Sequence, residues 1–161
     1  MSQRYSRQLT PDEVLESHFD GPEDGVFTDG SCEPNPGPGG WGWVWVERGE
    51  IKAEGHGREP DTTNNRMELR ALIEAFQALP SDRDLVVHSD SQLCVNTINE
   101  WAAGWERRGW TRKGGPIKNL DLVKQLYALS KAKPRIALHW IRAHEGLRWN
   151  EYADALAALG D

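Results

Sequence analysis

One helix-period segment set among strand-type runs constrains this chain most. Over residues 64–79, Leu69, Leu72, Ile73, Phe76 and Leu79 recur three and four apart, and Pro80 stops the run. Asn64 or Asn65 can cap its start. Before it, residues 26–29, 41–47 and 50–57 read as strands, rich in Val, Trp and Ile. Residues 31–40 are saturated with Pro and Gly and read as a loop. After it come a strand at 85–88, helices at 91–102 and 119–130, a strand at 135–142 and a helix at 149–159. The order βββαβααβα predicts an α/β domain, a five-stranded mixed sheet flanked by helices. At 161 residues the chain has room for one such domain.

Charge is distributed unevenly along that pattern. The formal net charge of −6 excludes a uniformly basic, polyanion-coating protein. Residues 1–24 hold six acids against two bases, with one apolar cluster at Val14, Leu15 and Phe19. This stretch reads as an acidic, flexible N-terminal tail with at most one short helix, leaving 25–161 as the folded domain. Residues 107–118 hold five bases and no acid. There Arg107, Arg108, Arg112 and Lys113 surround Trp110, a mixture that suits phosphate and base contacts as well as it suits a solvated loop. No apolar run is long enough to span a membrane, and the first residues lack a signal-peptide core, which points to the cytoplasm. Two cysteines, Cys32 and Cys94, are too few for a disulfide framework and read as small packing residues.

Four carboxylates fall where an α/β layer gathers its chemistry. Asp29 ends the first strand, and Asp90 follows the strand at 85–88, at the carboxyl ends where such sheets place their sites. Glu68 shares a helix face with Leu72 and Phe76, a face that should meet the sheet, and an ionised carboxylate there is costly unless paired or bound to metal. Asp154 lies early in the last helix. Each has a plainer reading: Asp29 as a turn residue, Asp90 as a helix cap, Glu68 and Asp154 as helix-dipole partners. Together, four acids brought to one edge repel unless cations neutralise them, and all-oxygen ligation favours Mg²⁺ or Mn²⁺. His144, beside Gly146 on a loop, is a candidate for proton or product handling.

These residues sit in motifs that resemble type 1 ribonuclease H, in its bacterial branch. Phe27-Thr28-Asp29-Gly30-Ser31-Cys32 with Asn35-Pro36-Gly37-Pro38-Gly39-Gly40 resembles the family's first-strand signature. Thr62-Thr63-Asn64-Asn65-Arg66-Met67-Glu68-Leu69 is similar to its first-helix signature, and Ser89-Asp90-Ser91-Gln92 to its third acidic position. The run from Trp101 through Trp105 and Trp110 to Leu122 resembles the basic protrusion, and Ala143-His144-Glu145-Gly146 with Asn150 to Asp154 the last motifs. The likeness spans 26–159, several motifs agreeing in order and spacing.

The resemblance implies a ribonuclease H-like fold with a basic protrusion. It also implies hydrolysis of the RNA strand of RNA–DNA hybrids, leaving 5′-phosphate and 3′-hydroxyl ends. By resemblance, Asp29, Glu68, Asp90 and Asp154 are ligands of two Mg²⁺ ions, with Mn²⁺ as a substitute, and His144 is the proton or product-release residue. Asn35, Asn64 and Gln92, with backbone near Gly30 and Cys32, would face RNA 2′-hydroxyls. Thr63 and Asn65 would hold a DNA phosphate and Trp101 a deoxyribose. Arg107, Arg108, Trp110, Arg112 and Lys113 would line the protrusion, with Trp105 in its core. The expected partner is an RNA–DNA hybrid, the expected state a monomer. Glu145 and Val123 depart from the pattern, where many relatives have a small residue and some have Trp, and Trp149 has no assigned place. Two other readings share the acids: a strand-transfer or junction-cutting enzyme of the same fold, and a non-catalytic hybrid-binding module. The first has no need of Asn64, Gln92 and the Trp-rich protrusion; the second is disfavoured by acids that repel phosphate.

Overall fold

A computed structural model describes residues 7–143 and 145–160. Its elements are α1 (Pro11–Ser17), β1 (Gly25–Cys32), β2 (Gly37–Glu47), β3 (Glu50–Thr62), α2 (Asn64–Ala78), β4 (Leu85–Ser89), α3 (Gln92–Asn96), a π-helical turn (Thr97–Trp101), α4 (Ala102–Arg107), α5 (Leu120–Ala132), β5 (Ile136–Trp140) and α6 (Arg148–Ala157). The five strands form one mixed sheet in the order β3-β2-β1-β4-β5. β1, β2 and β3 pair antiparallel, and β4 lies parallel to both β1 and β5.

Both faces of the sheet are covered, which explains why consecutive residues of its central strand, Val26, Phe27 and Thr28, are all buried. Along β1, Val26 enters one core and Phe27 the other; along β2, Trp43 enters the first, and Val44 and Val46 the second. The first core is filled by Leu69, Leu72, Ile73 and Phe76 of α2 with Leu122, Val123 and Leu126 of α5. The second is filled by α6, through Trp149, Tyr152, Ala153 and Leu156. Trp149 is thus a core residue, its ring edge-on to Tyr152 with centroids 5.3 Å apart.

The structure extends several elements beyond their sequence limits. Residues 31–40 were expected as a loop, yet β1 runs to Cys32 and β2 starts at Gly37, with Ser31 paired to Gly40 and Cys32 to Gly39. Glycines that look like turn formers serve here to let helices approach: a Cβ at Gly42 would stand 2.7 Å from Leu156 Cβ of α6. Thr63, rather than Asn64 or Asn65, caps α2, its hydroxyl accepting from Arg66 N at 3.2 Å. The helix expected at 91–102 runs on to Arg107 through the π turn, where Thr97 Oγ1 donates to the Leu93 carbonyl at 2.7 Å.

Residues 7–24, read from the sequence as a flexible tail with at most one short helix, carry that helix, packed against α6. α1 opens with a capping box between Thr10 and Glu13, and Arg7 adds a two-pronged ion pair to the same Glu13. Val14 is 1% exposed against α6 and the sheet. Asp20 O accepts from Arg148 N, and Asp24 Oδ1 from Arg48 N, tying the segment to α6 and to the β2–β3 turn. The acids face water while Leu9, Val14 and Leu15 supply the apolar contact that holds the segment down. No helix among the described residues is long and apolar enough to cross a membrane.

Candidate active site

The register between β1 and β4 sets two of the acids side by side. Val26 is level with Val87 and Phe27 with His88. Two residues further on, the same register brings Asp29 level with Asp90. The third acid depends on how closely α2 approaches. A Cβ at Gly30 would fall on the Met67 carbonyl and Glu68 N, so only glycine lets this turn of helix rest on the strand end. Glu68 then stands over Asp29, with Leu72 and Phe76 anchoring the same helix face in the core.

Carboxylate oxygens of Asp29, Glu68 and Asp90 lie within 4.8 Å of one another. Glu68 Oε1 is buried and has no hydrogen-bond partner. Among the described residues no Lys or Arg forms an ion pair with any of the three. Burial, then the charges of Asp90 and Asp154, holds the Asp29 carboxyl well above its usual range. Burial, then Asp29 and Asp90, does the same to Glu68. Burial also pushes the neighbouring Cys94 thiol up to about 11, which marks it as an inert packing group. Three crowded oxygen donors, one without any partner and none with a cation beside it, fit a divalent metal ion.

Asp154 stands outside this triad but beside it. Its carboxyl contacts Asp29, and it shares a small cleft with Thr28, Asp29, Asp90, Asn150 and Glu151. Gln8 Nε2 donates to its Oδ2 at 3.2 Å. His144 lies outside the described residues. Its neighbour Glu145 pairs at 3.8 Å with Arg142, both exposed, so the added charge has a partner at the surface.

The residues expected to read RNA are joined by hydrogen bonds. Cys32 N donates to Asn64 Oδ1 at 2.6 Å, and Asn64 N donates to Asn35 Oδ1 at 3.2 Å. The loop between β1 and β2 is thereby locked to the start of α2. Gln92 is exposed at the start of α3, and Gly30 is buried under α2. Thr63 spends one hydroxyl lone pair on the helix cap, which leaves its O–H free to donate.

A groove of about 900 Å³ runs between α2, α3 and the segment after α4. Of the residues expected on the protrusion side, Asn65, Trp101, Arg108, Arg112 and Lys113 line it. Trp105, expected only in the protrusion core, lines it as well, its ring 6.1 Å from that of Trp101. Trp110 turns instead onto α5, edge-on to Tyr127 and under Lys124, and the lining does not include Arg107. A left-handed backbone at Gly109 and Trp110 makes that turn, with Trp110 N bonded to the Trp105 carbonyl at 2.6 Å. Sequence reasoning missed Lys118, which lines the groove, and Trp140, whose indole donates to the Asp90 carbonyl at 3.3 Å. The first was one of the five bases counted in 107–118; the second ends the alternating run of the last strand.

Fold and acidic cluster together define an α/β protein that gathers carboxylates at the carboxyl ends of parallel strands to hold divalent metal. Comparison narrows the class. The RNase H family model matches residues 23–160. A Ribonuclease H from Herminiimonas arsenicoxydans is 50% identical over 136 residues, covering 84% of this chain and 92% of that one. Among solved structures, LC9-RNase H1, described as a type 1 RNase H with the type 2 active-site motif, is 32% identical with a TM-score of 0.65, covering 86% of this chain and 72% of that one. LC11-RNase H1, solved in complex with RNA/DNA hybrid, is 25% identical with a TM-score of 0.61, covering 82% of this chain and 91% of that one. The chain belongs to the ribonuclease H family.

Proposed function

We propose that this protein is an endoribonuclease that hydrolyses the RNA strand of RNA–DNA hybrids, leaving 5′-phosphate and 3′-hydroxyl ends. The observation that carries the reading is the triad of Asp29, Glu68 and Asp90, with its buried, unpartnered Glu68 oxygen, in a chain of this family. Asp29, Glu68, Asp90 and Asp154 would hold two Mg²⁺ ions, with Mn²⁺ able to replace them. When bound, such ions activate water and stabilise negative charge on the leaving oxygen. No Ser or Cys nucleophile is needed, in keeping with a Cys94 thiol pushed up by burial.

Hybrid selectivity falls to the chain's own side chains. Asn64 accepts from Cys32 N through its oxygen, so its NH₂ group remains to donate to a 2′-hydroxyl. Asn35 and Gln92 extend that reading edge, with the backbone near Gly30 and Cys32. On the DNA side, Thr63 and Asn65 receive a phosphate and Trp101, 40% exposed, offers a face to a sugar without that hydroxyl. Arg107, Arg108, Trp110, Arg112 and Lys113 make up the protrusion, of which Arg108, Arg112 and Lys113 face the groove. His144 is assigned to proton handling or product release. The working form is a monomer in the cytoplasm.

The direct test offers labelled RNA–DNA hybrid, single-stranded RNA and duplex DNA in Mg²⁺. Cleavage confined to the RNA of the hybrid is expected. Equal cutting of all three, or of none, rejects the proposal.

A further inference from the structure

We infer that residues 7–21 form a strap over α6 and that Gln8, at its start, is a positioning residue for Asp154. This inference rests on the reading of Asp154 as a metal ligand. Gln8 Nε2 donates both to the Leu9 carbonyl and to Asp154 Oδ2, each at 3.2 Å. Both amide hydrogens are committed, one to the local backbone and one to the acid. The plane of the carboxamide is therefore set from its own chain.

Its neighbours set it further. Arg7 and Thr10 both bond Glu13, and Leu9 packs beside the core that contains Val14. Further along, the Asp20 carbonyl accepts from Arg148 N at 2.8 Å, and Phe19 lies under the Arg148 guanidinium. A Cβ at Gly21 would stand 3.2 Å from the Leu147 side chain, so the strap also lies close over the residue before α6. α6 is thus gripped at its first residue and again at Asp154, nearly two turns later.

The family match begins at residue 23, so the strap lies outside it. Leu9, Val14 and the Asp20–Arg148 bond anchor the strap. The exposed Gln8–Asp154 bond adds no apolar contact to that anchorage. What it does is restrict the rotamer of one carboxylate. A Lys or Arg at this position would do the same but would neutralise the acid. A neutral amide orients the carboxylate and leaves its charge for a cation. Outer partners of ligating carboxylates typically account for about 10–100-fold in metal affinity or activity.

The test uses Gln8→Ala and Gln8→Leu in the full chain. Expected are a fall in kcat of about tenfold with hybrid KM unchanged, and a shift of the Mg²⁺-dependent rise in Tm to higher Mg²⁺. Tm in EDTA is expected to stay within about 4 °C, since the two hydrogen bonds lost are both exposed. In an Asp154→Asn background the same changes should leave the Mg²⁺ midpoint where Asp154→Asn alone puts it. Unaltered or raised kcat with an unaltered Mg²⁺ midpoint overturns the inference, and so does an equal shift in the Asp154→Asn background. The single variant Asp154→Asn separates the two levels. If it cleaves like the parent, the ligand assignment itself falls; if it is inactive while both Gln8 variants match the parent, only the strap's role falls.

Discussion

Asp29 and Glu68 each resist ionising, because they are buried and because each faces other acids. A carboxyl whose pKa rises on folding favours the native state at low pH, and that contribution is lost as pH climbs through the raised value. The metal-free protein should therefore lose stability as pH rises above the ordinary carboxylate range. Mg²⁺, which needs both groups ionised, should raise Tm more at the upper end of the range than at the lower. Melting curves from about pH 4 to pH 8, in EDTA and in Mg²⁺, measure this; a Mg²⁺ effect that shrinks with rising pH contradicts it. Asp29→Asn separates stability from activity. It should raise Tm in EDTA by about 2–4 °C for each ~1 kcal/mol of repulsion relieved. It should also cut hybrid cleavage by about 10³-fold, the loss of several kcal/mol of charge stabilisation. Near-parental turnover removes Asp29 from the metal site. The positions of these acids were legible because strand ends and helix period are visible in sequence. Which of the adjacent bases Arg107 and Arg108 faces the groove was not, since that depends on the left-handed turn at Gly109 and Trp110.

At the level of elements, the seat of α2 on β1 decides whether Glu68 reaches the site. Gly30→Ala inserts a methyl where the Met67 carbonyl now lies. It should cost about 1–3 kcal/mol, as overpacking does, and lower kcat more than it raises hybrid KM, because it moves Glu68 rather than the groove. Unfolding in urea and steady-state kinetics together check both parts. A kcat equal to the parent's with KM raised instead places the effect elsewhere. Helix α2 could be read in advance because its apolar residues keep one period over four turns. The ends of β1 and β2 could not, because a run of Pro and Gly signals a turn whether or not a helix is about to pack on it. The π turn was equally hidden: nothing in Thr97–Trp101 marks a change of helical pitch. α1 was legible only as an apolar cluster with room for one short helix, since seven residues make no lasting period. Its docking depends on a hydrophobic face that α6 presents from the far end of the sequence.

Across the whole molecule, net acidity and nucleic-acid binding are reconciled by placement. Six acids lie in the first 24 residues, while Arg108, Arg112, Lys113 and Lys118 line one groove. With Arg108, Arg112 and Lys113 meeting phosphate, hybrid binding should weaken about 40-fold between 50 and 200 mM monovalent salt. Arg108→Gln with Arg112→Gln and Lys113→Gln should flatten that dependence and leave the single-turnover rate at saturating hybrid within about twofold. Binding titrations over that range measure it, and a slope that survives the triple change assigns the affinity to other residues.

The four acids come from residues 29, 68, 90 and 154, the last carried on the final helix. A chain still emerging from the ribosome can complete β1, α2 and β4 and yet lack the fourth carboxylate. A fragment ending before α6 would therefore carry Asp29, Glu68 and Asp90 without Asp154. On the reading of Asp154 as a ligand, fraying of α6 should lower cleavage before the sheet gives up its backbone amides to exchange.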